Sequence, residues 1–184
     1  MALDEIREKI DKIDNEIKAL FAQRMDCAKE VAKAKSITGG DVFVPDREKV
    51  IIDKRSEGVA PDIKNSYITF LKHLMSVSRQ YQYGILKNMQ EEIISSLKNN
   101  LGEIKSHNKV NISFQCQKNN TNLNLYINII VLNNINISHM EIKSEDNLLL
   151  CDLTLEGNIE ESNMKTLLCQ LAKESENFKL LDLS

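Results

Sequence analysis

The chain lacks a basic excess, a long apolar run and any CxxC pair, and each absence removes a class of function. Its 184 residues carry 24 Lys and Arg against 27 Asp and Glu, a net charge of −3. No cationic surplus is available to displace counterions from a phosphate backbone, so nucleic acid is not expected as a partner. The four cysteines (Cys27, Cys116, Cys151, Cys169) and three histidines (His73, His107, His139) are scattered through different segments. That spacing argues against a disulfide scaffold and against a zinc site, and no metal ligand set is expected. No run approaches the ~20 apolar residues of a spanning helix, and MALDEIREKIDKID is charged and periodic from its first residues, without the apolar core of a leader. No membrane association is expected, and a reducing cytoplasm is the expected location. The length suits one or two small domains.

Prolines are scarce too, and the two present, Pro45 and Pro61, punctuate the first half. From Leu3 to about Ser36, Leu3, Ile10, Ile17 and Val31 fall on one line of a seven-residue repeat. Ile6, Ile13, Leu20, Cys27 and Ala34 fall on the other. This 3-4 spacing predicts a long helix whose seam meets other helices. Gly39 and Gly40 end it. Pro45 then stands at the first helical position of VPDREKVIIDKRSEG, which stops at Gly58, and Pro61 opens a third helix running to about Asn100. A first helix of ~34 residues is ~50 Å long. The shorter helices cannot cover it, so an intertwined dimer is expected.

Arg24 occupies a slot of the apolar seam where a leucine would fit. A guanidinium does not lose its proton on burial, so it needs an anion or serves only to fix register and oligomeric state. Lys35 follows eleven residues later, within ~20° of Arg24 on the helix surface. In the third helix the stripe Ile68, Leu71, Met75, Ile85, Met89, Ile93 is interrupted by Ser78 and Gln82, which share a face at i and i+4. Together these four residues outline a polar, cationic pocket inside a helical bundle.

The second half changes period. VNISFQCQ alternates as a half-buried strand, LNLYINIIVLNN has helical spacing, and INISHMEIK and NLLLCDLTLEG read as strands. A capped helix, NIEESNMKTLLCQLAKES, and a last strand, NFKLLDL, complete a βαββαβ order. That order suits an α+β ferredoxin-like sandwich. The expected organisation is residues 1–83, a three-helix all-α domain; 84–108, a helical extension or linker; and 109–184, the α+β domain.

The pieces LDEIREKIDKIDNEI, LFAQRMDCAKEVAKAK, VFVPDREKVI and ITFLKHLMSVSRQYQ resemble, in order and spacing, the all-helical chorismate mutases of the AroQ class. The resemblance covers the first 83 residues and implies an isomerase that converts chorismate to prephenate, with no cofactor. In that pericyclic rearrangement an ether C–O bond breaks as a C–C bond forms, so catalysis is orientation plus electrostatic stabilisation of the ether oxygen. Carried across by position, the family's substrate-binding groups fall on Arg7, Arg24, Lys35, Arg47, Glu48, Ser78 and Gln82. The resemblance implies that Arg24 clamps a carboxylate, Lys35 and Gln82 donate to the ether oxygen, Ser78 assists a carboxylate and Glu48 accepts from the ring hydroxyl. Arg47 is as much a supporting partner as a ligand. Arg7 lies ~25 Å from Arg24 along a straight helix, so it is expected to enter the site of the partner chain in a homodimer. Val44 stands where some members carry an acid.

NNINISHMEIKS and the final FKLLDLS resemble an ACT-type regulatory domain, which implies phenylalanine or tyrosine as a candidate effector. QKNNTNLN stands at that family's glycine-containing turn, and Glu141, Ile142, Lys143 and Ser144 at its Glu-Ser-Arg-Pro. Other readings of the cationic pocket are an isochorismate pyruvate lyase, an aminodeoxychorismate mutase, or a non-catalytic dimeric module that senses a ligand. Because every implied substrate contact precedes residue 83, a chain ending near Leu101 is expected to keep its fold and activity.

Overall fold

In the computed structural model, residues 3–99, 101–102, 106–118 and 123–184 are described. The helices are α1 (Leu3–Thr38), α2 (Pro45–Ser56), α3 (Pro61–Ile85) and α4 (Lys87–Lys98). They are followed by β1 (Lys109–Gln117), α5 (Leu123–Leu132), β2 (Ile137–Glu145), β3 (Leu148–Glu156), α6 (Ser162–Glu174) and β4 (Glu176–Leu183). Parts of the expected linker, and residues 119–122 of the QKNNTNLN turn, lie outside the described residues.

The two prolines sit at the starts of α2 and α3, where a missing N–H costs nothing. Gly39 and Gly58 close α1 and α2 with φ of +71° and +73°, a backbone geometry that side chains with a Cβ resist. Within this chain α1 meets α3 through a narrow stripe of small residues. Ala28 and Ala32 are buried, with Arg24 and Lys35 half-buried at its two ends. The apolar seam anticipated from the heptad pattern faces outward: Leu3, Ile6, Ile10, Ile13, Ile17, Leu20 and Val31 are 37–63% exposed.

The expected third helix is broken. At Leu86 the backbone leaves helical geometry (φ −79°, ψ +68°), separating α3 from α4. The break frees the carbonyl of Tyr83, which the Gln90 amide takes at 2.6 Å while also reaching the Thr166 hydroxyl at 3.2 Å. Gln90 is almost fully buried, so both bonds form where no solvent competes. The turn lets α4 fold back along α6, carrying Ile94 into the core of the second half.

The sheet has the order β2-β3-β1-β4, with every neighbouring pair antiparallel. This is the ferredoxin-like arrangement that the βαββαβ order predicts. Val110, Ile112, Phe114 and Cys116 alternate inward on β1 and meet Tyr126, Ile129 and Ile130 of α5 and Met164, Leu167, Leu168 and Leu171 of α6 in one core. The β2–β3 hairpin turns through Asp146 at φ +47°, and α5 ends on Asn134 at φ +54°. Both positions use the tolerance of Asn and Asp for left-handed backbone. The expected cap on α6 is absent: Glu161 precedes it without a side-chain capping bond. The two halves are joined by buried contacts of α3 and α4 with α5 and α6. Tyr83 and Leu86 share a cluster with Cys169.

Candidate active site

A cavity of about 530 Å³ opens between α1, α2 and α3. Six of the seven anticipated binding residues line it: Arg24, Lys35, Arg47, Glu48, Ser78 and Gln82. The seventh, Arg7, lies outside. It is exposed and pairs with Asp4 on its own helix at 3.2 Å. Val44, at the position of the missing acid, is on the cavity wall.

Each side chain is aimed by the local fold. Arg24 donates through Nη1 to the Ser78 hydroxyl and to the Leu74 carbonyl, the latter at 3.3 Å, so the polar interruptions of the two stripes meet. Lys35 Nζ is steadied by the Val42 carbonyl at 3.2 Å. Arg47 and Glu48 are consecutive in the first turn of α2, placed there by the Pro45 start. Gln82 is buried, its Nε2 on the Ser78 carbonyl at 3.3 Å and its Oε1 without a partner among the described residues.

The charge on this wall is unbalanced. Besides Arg24, Lys35 and Arg47, Arg55 of α2 also lines the cavity. Among the described residues none of these four cations has a carboxylate within ion-pair distance. Burial, then the charge of Arg55, lowers the pKa of Arg24. Burial, then the charge of Arg47, lowers that of Lys35. Both shifts have the same causes, burial and a neighbouring cation, and an anion placed among these groups opposes both.

The reading from periodicity missed Arg79 and Glu174. Arg79 lies on the cavity wall with its side chain 7% exposed, and Phe43 covers the guanidinium at 4.7 Å. Its partners are Glu48 from α2 and Glu174 from the end of α6. Burial works to lower its pKa, but the hydrogen bonds and charges of Glu174 and Glu48 outweigh it and the net shift is upward. A sequence signal for Arg79 did exist: it is four residues after Met75 and three before Gln82, on the same face. Nothing local marks Glu174.

The helical part is thus a bundle whose cavity wall gathers four cations beside one carboxylate, a hydroxyl and an amide. Residues 6–83 match the family model described as Chorismate mutase type II. Over 70 residues the protein is 39% identical to the intracellular chorismate mutase of Mycobacterium tuberculosis, covering 38% of this chain and 66% of that protein. Over 52 residues it is 50% identical to the chorismate mutase of Methanocaldococcus jannaschii, covering 28% of this chain and 52% of that protein. The T-protein of Haemophilus influenzae is 24% identical over 99 residues, 50% of this chain and 26% of that protein. The chain therefore spans just under two thirds of the first relative and about half of the second. No solved structure matches it.

Proposed function

We propose that the chain is a chorismate mutase, converting chorismate to prephenate without a cofactor. One observation carries this reading: four cations without carboxylate partners among the described residues, a carboxylate, a hydroxyl and an amide converge on a single cavity. Chorismate is a dianion with a hydroxyl and an ether oxygen, and each of its polar groups finds a complement there. Arg24 offers a rigid fork to one carboxylate, with Ser78 beside it. Lys35 and Gln82 donate to the ether oxygen as negative charge develops on it. Glu48 accepts from the ring hydroxyl, and Arg47 supports the anion. Holding the side chain over the ring supplies the orientation that a unimolecular rearrangement needs.

The exposed seam of α1 supports a homodimer, in which Arg7 enters the partner's cavity. The ferredoxin-like half is read as an ACT-like regulatory module for an aromatic amino acid. The cytoplasm is the proposed site of action, in line with the names of the mycobacterial relatives. No helix among the described residues is long and apolar enough to cross a membrane.

The test is to incubate the purified protein with chorismate and identify the product. Prephenate supports the reading. Release of pyruvate from isochorismate, or turnover of aminodeoxychorismate in preference to chorismate, identifies a relative acting on a similar dianion. No turnover of any of the three refutes catalysis. Calorimetric titration with phenylalanine and tyrosine, beside the rate assay, tests regulation: no heat and no change in rate at millimolar ligand removes both as effectors.

A further inference from the structure

The buried link between the two halves ends on a residue of the cavity. Arg79 donates Nε to Oε1 of Glu174 at 2.8 Å and Nη2 to Oε2 at 2.9 Å, so one whole edge of its fork is taken by a carboxylate of α6. Of the three N–H groups left, one on Nη1 reaches Oε1 of Glu48 at 2.5 Å. Glu174 is itself fixed. Gln170 donates to its Oε1 at 3.0 Å, and the Tyr126 hydroxyl donates to its backbone carbonyl at 2.9 Å. Glu48 is held by one oxygen, and among the described residues its Oε2 has no hydrogen-bond partner.

We propose that Glu174 is a positioning residue for Glu48. By engaging Arg79 side-on, it fixes the orientation of the guanidinium so that Nη1 meets one oxygen of Glu48 and the second oxygen of Glu48 stays free to accept from a substrate. An arginine no longer held by Glu174 is free to turn and take a neighbouring carboxylate with two parallel bonds. A Glu48 held in that way has turned from the cavity and lost its free acceptor. The C-terminal half therefore shapes the pocket without touching its contents. The role given to Glu48 rests on the chorismate mutase reading; the geometry of Arg79 does not.

Glu174→Gln keeps the volume and removes the charge, whereas Glu174→Asp keeps the charge. The expected result for Glu174→Gln is a fall in kcat/KM for chorismate of about tenfold, mainly through KM, because a substrate contact is lost in ground and transition state alike. Glu174→Asp should lie nearer the parent than Glu174→Gln does. In a Glu48→Gln background, either change at residue 174 should cost less than twofold, since its effect passes through Glu48. Circular dichroism sets the folded fraction, and if Glu174→Gln does not fold, Glu174→Asp carries the same cycle. A parent-like kcat/KM for Glu174→Gln, or an equal loss in the Glu48→Gln background, overturns the proposal. A crystal structure of Glu174→Gln gives a readout independent of activity: Arg79 turned to hold both oxygens of Glu48 supports it, and an unmoved Arg79 and Glu48 overturns it. If the parent protein forms no prephenate, the activity reading fails and the positioning proposal is decided by that structure alone.

Discussion

Replacing Arg79 by methionine removes the central charge of the buried link while keeping most of its length. The side chain of Glu174 is 3% exposed, and without Arg79 its remaining hydrogen-bond donor is the neutral amide of Gln170. Removing one member of a buried ion pair costs about 3–5 kcal/mol, chiefly because the surviving charge is stranded. In a chain of this size each kcal/mol lowers Tm by about 2–4 °C, so the variant should melt about 6–20 °C below the parent at pH 7. The pH dependence has a definite sign. Burial already pushes the Glu174 carboxyl above its ordinary value of 4.5, against the pull of Arg79, and losing Arg79 pushes it further. A carboxyl with a folded-state pKa above its unfolded one binds more protons in the native state, so native stability falls as pH rises from the unfolded value through the folded one. The deficit of Arg79→Met is therefore largest at neutral pH and shrinks on acidification toward 4.5. Arg79→Met with Glu174→Met, which strands no charge, should recover most of the loss. Thermal melts by circular dichroism at pH 7 and pH 5, at one protein concentration, measure all three proteins. A melting point for Arg79→Met within about 2 °C of the parent at pH 7 would refute the reasoning, as would a gap that widens on acidification.

Four further outcomes are expected. Lys35→Ala should lower kcat by about 10²–10³, the usual cost of a donor to a developing oxyanion, and Arg24→Lys should lower kcat/KM at least tenfold through loss of the fork; unchanged steady-state constants in both place the chemistry elsewhere. Because Lys35 titrates below the ordinary lysine value of 10.5, kcat/KM should be flat through neutral pH and fall on the alkaline side below that value, and a bell centred at neutrality would indicate acid–base catalysis instead. Homodimers of Arg7→Ala and of Arg24→Ala should each be nearly inactive, and refolding them together should restore roughly a quarter of parental activity if each site takes Arg7 from the partner; mixed dimers seen by mass without recovery exclude a shared site. A chain ending at Leu101 should be destabilised and weakly active, because it exposes Tyr83, Leu86 and Ile94, all at most 5% exposed, and leaves Arg79 only Glu48; a truncated protein as stable and active as the parent contradicts this.

That last outcome reverses the expectation from sequence, and the reason shows where the sequence was legible. Arg24, Ser78 and Gln82 stood out because each breaks an apolar stripe, and a polar residue on a buried face demands a partner; Lys35 stood out because it shares the face of Arg24. Arg47 and Glu48 break no stripe, and only the family resemblance marked them. The sheet order followed from strand periodicity and the βαββαβ order. The seam of α1 was legible as a surface but not by its occupant: the chain buries its Ala28–Ala32 stripe and leaves the larger residues outward. The break at Leu86 was invisible because no proline causes it; its stability comes from Gln90 capping Tyr83 and bonding Thr166, a residue 76 positions away. Glu174 was missed for the same reason, since contacts between distant segments leave no local periodicity.

The 95-residue separation of Arg79 and Glu174 also has a consequence in time. A chain synthesised from its N-terminus at about 5–20 residues per second makes Arg79 about 5–20 s before its partner exists. Over that interval α1, α2 and α3 can assemble, but the guanidinium has only Glu48 to hold. Completion waits for α6. If Glu174 positions Glu48 as proposed, a nascent chain arrested before Glu174 should bind chorismate poorly however well its first three helices have formed.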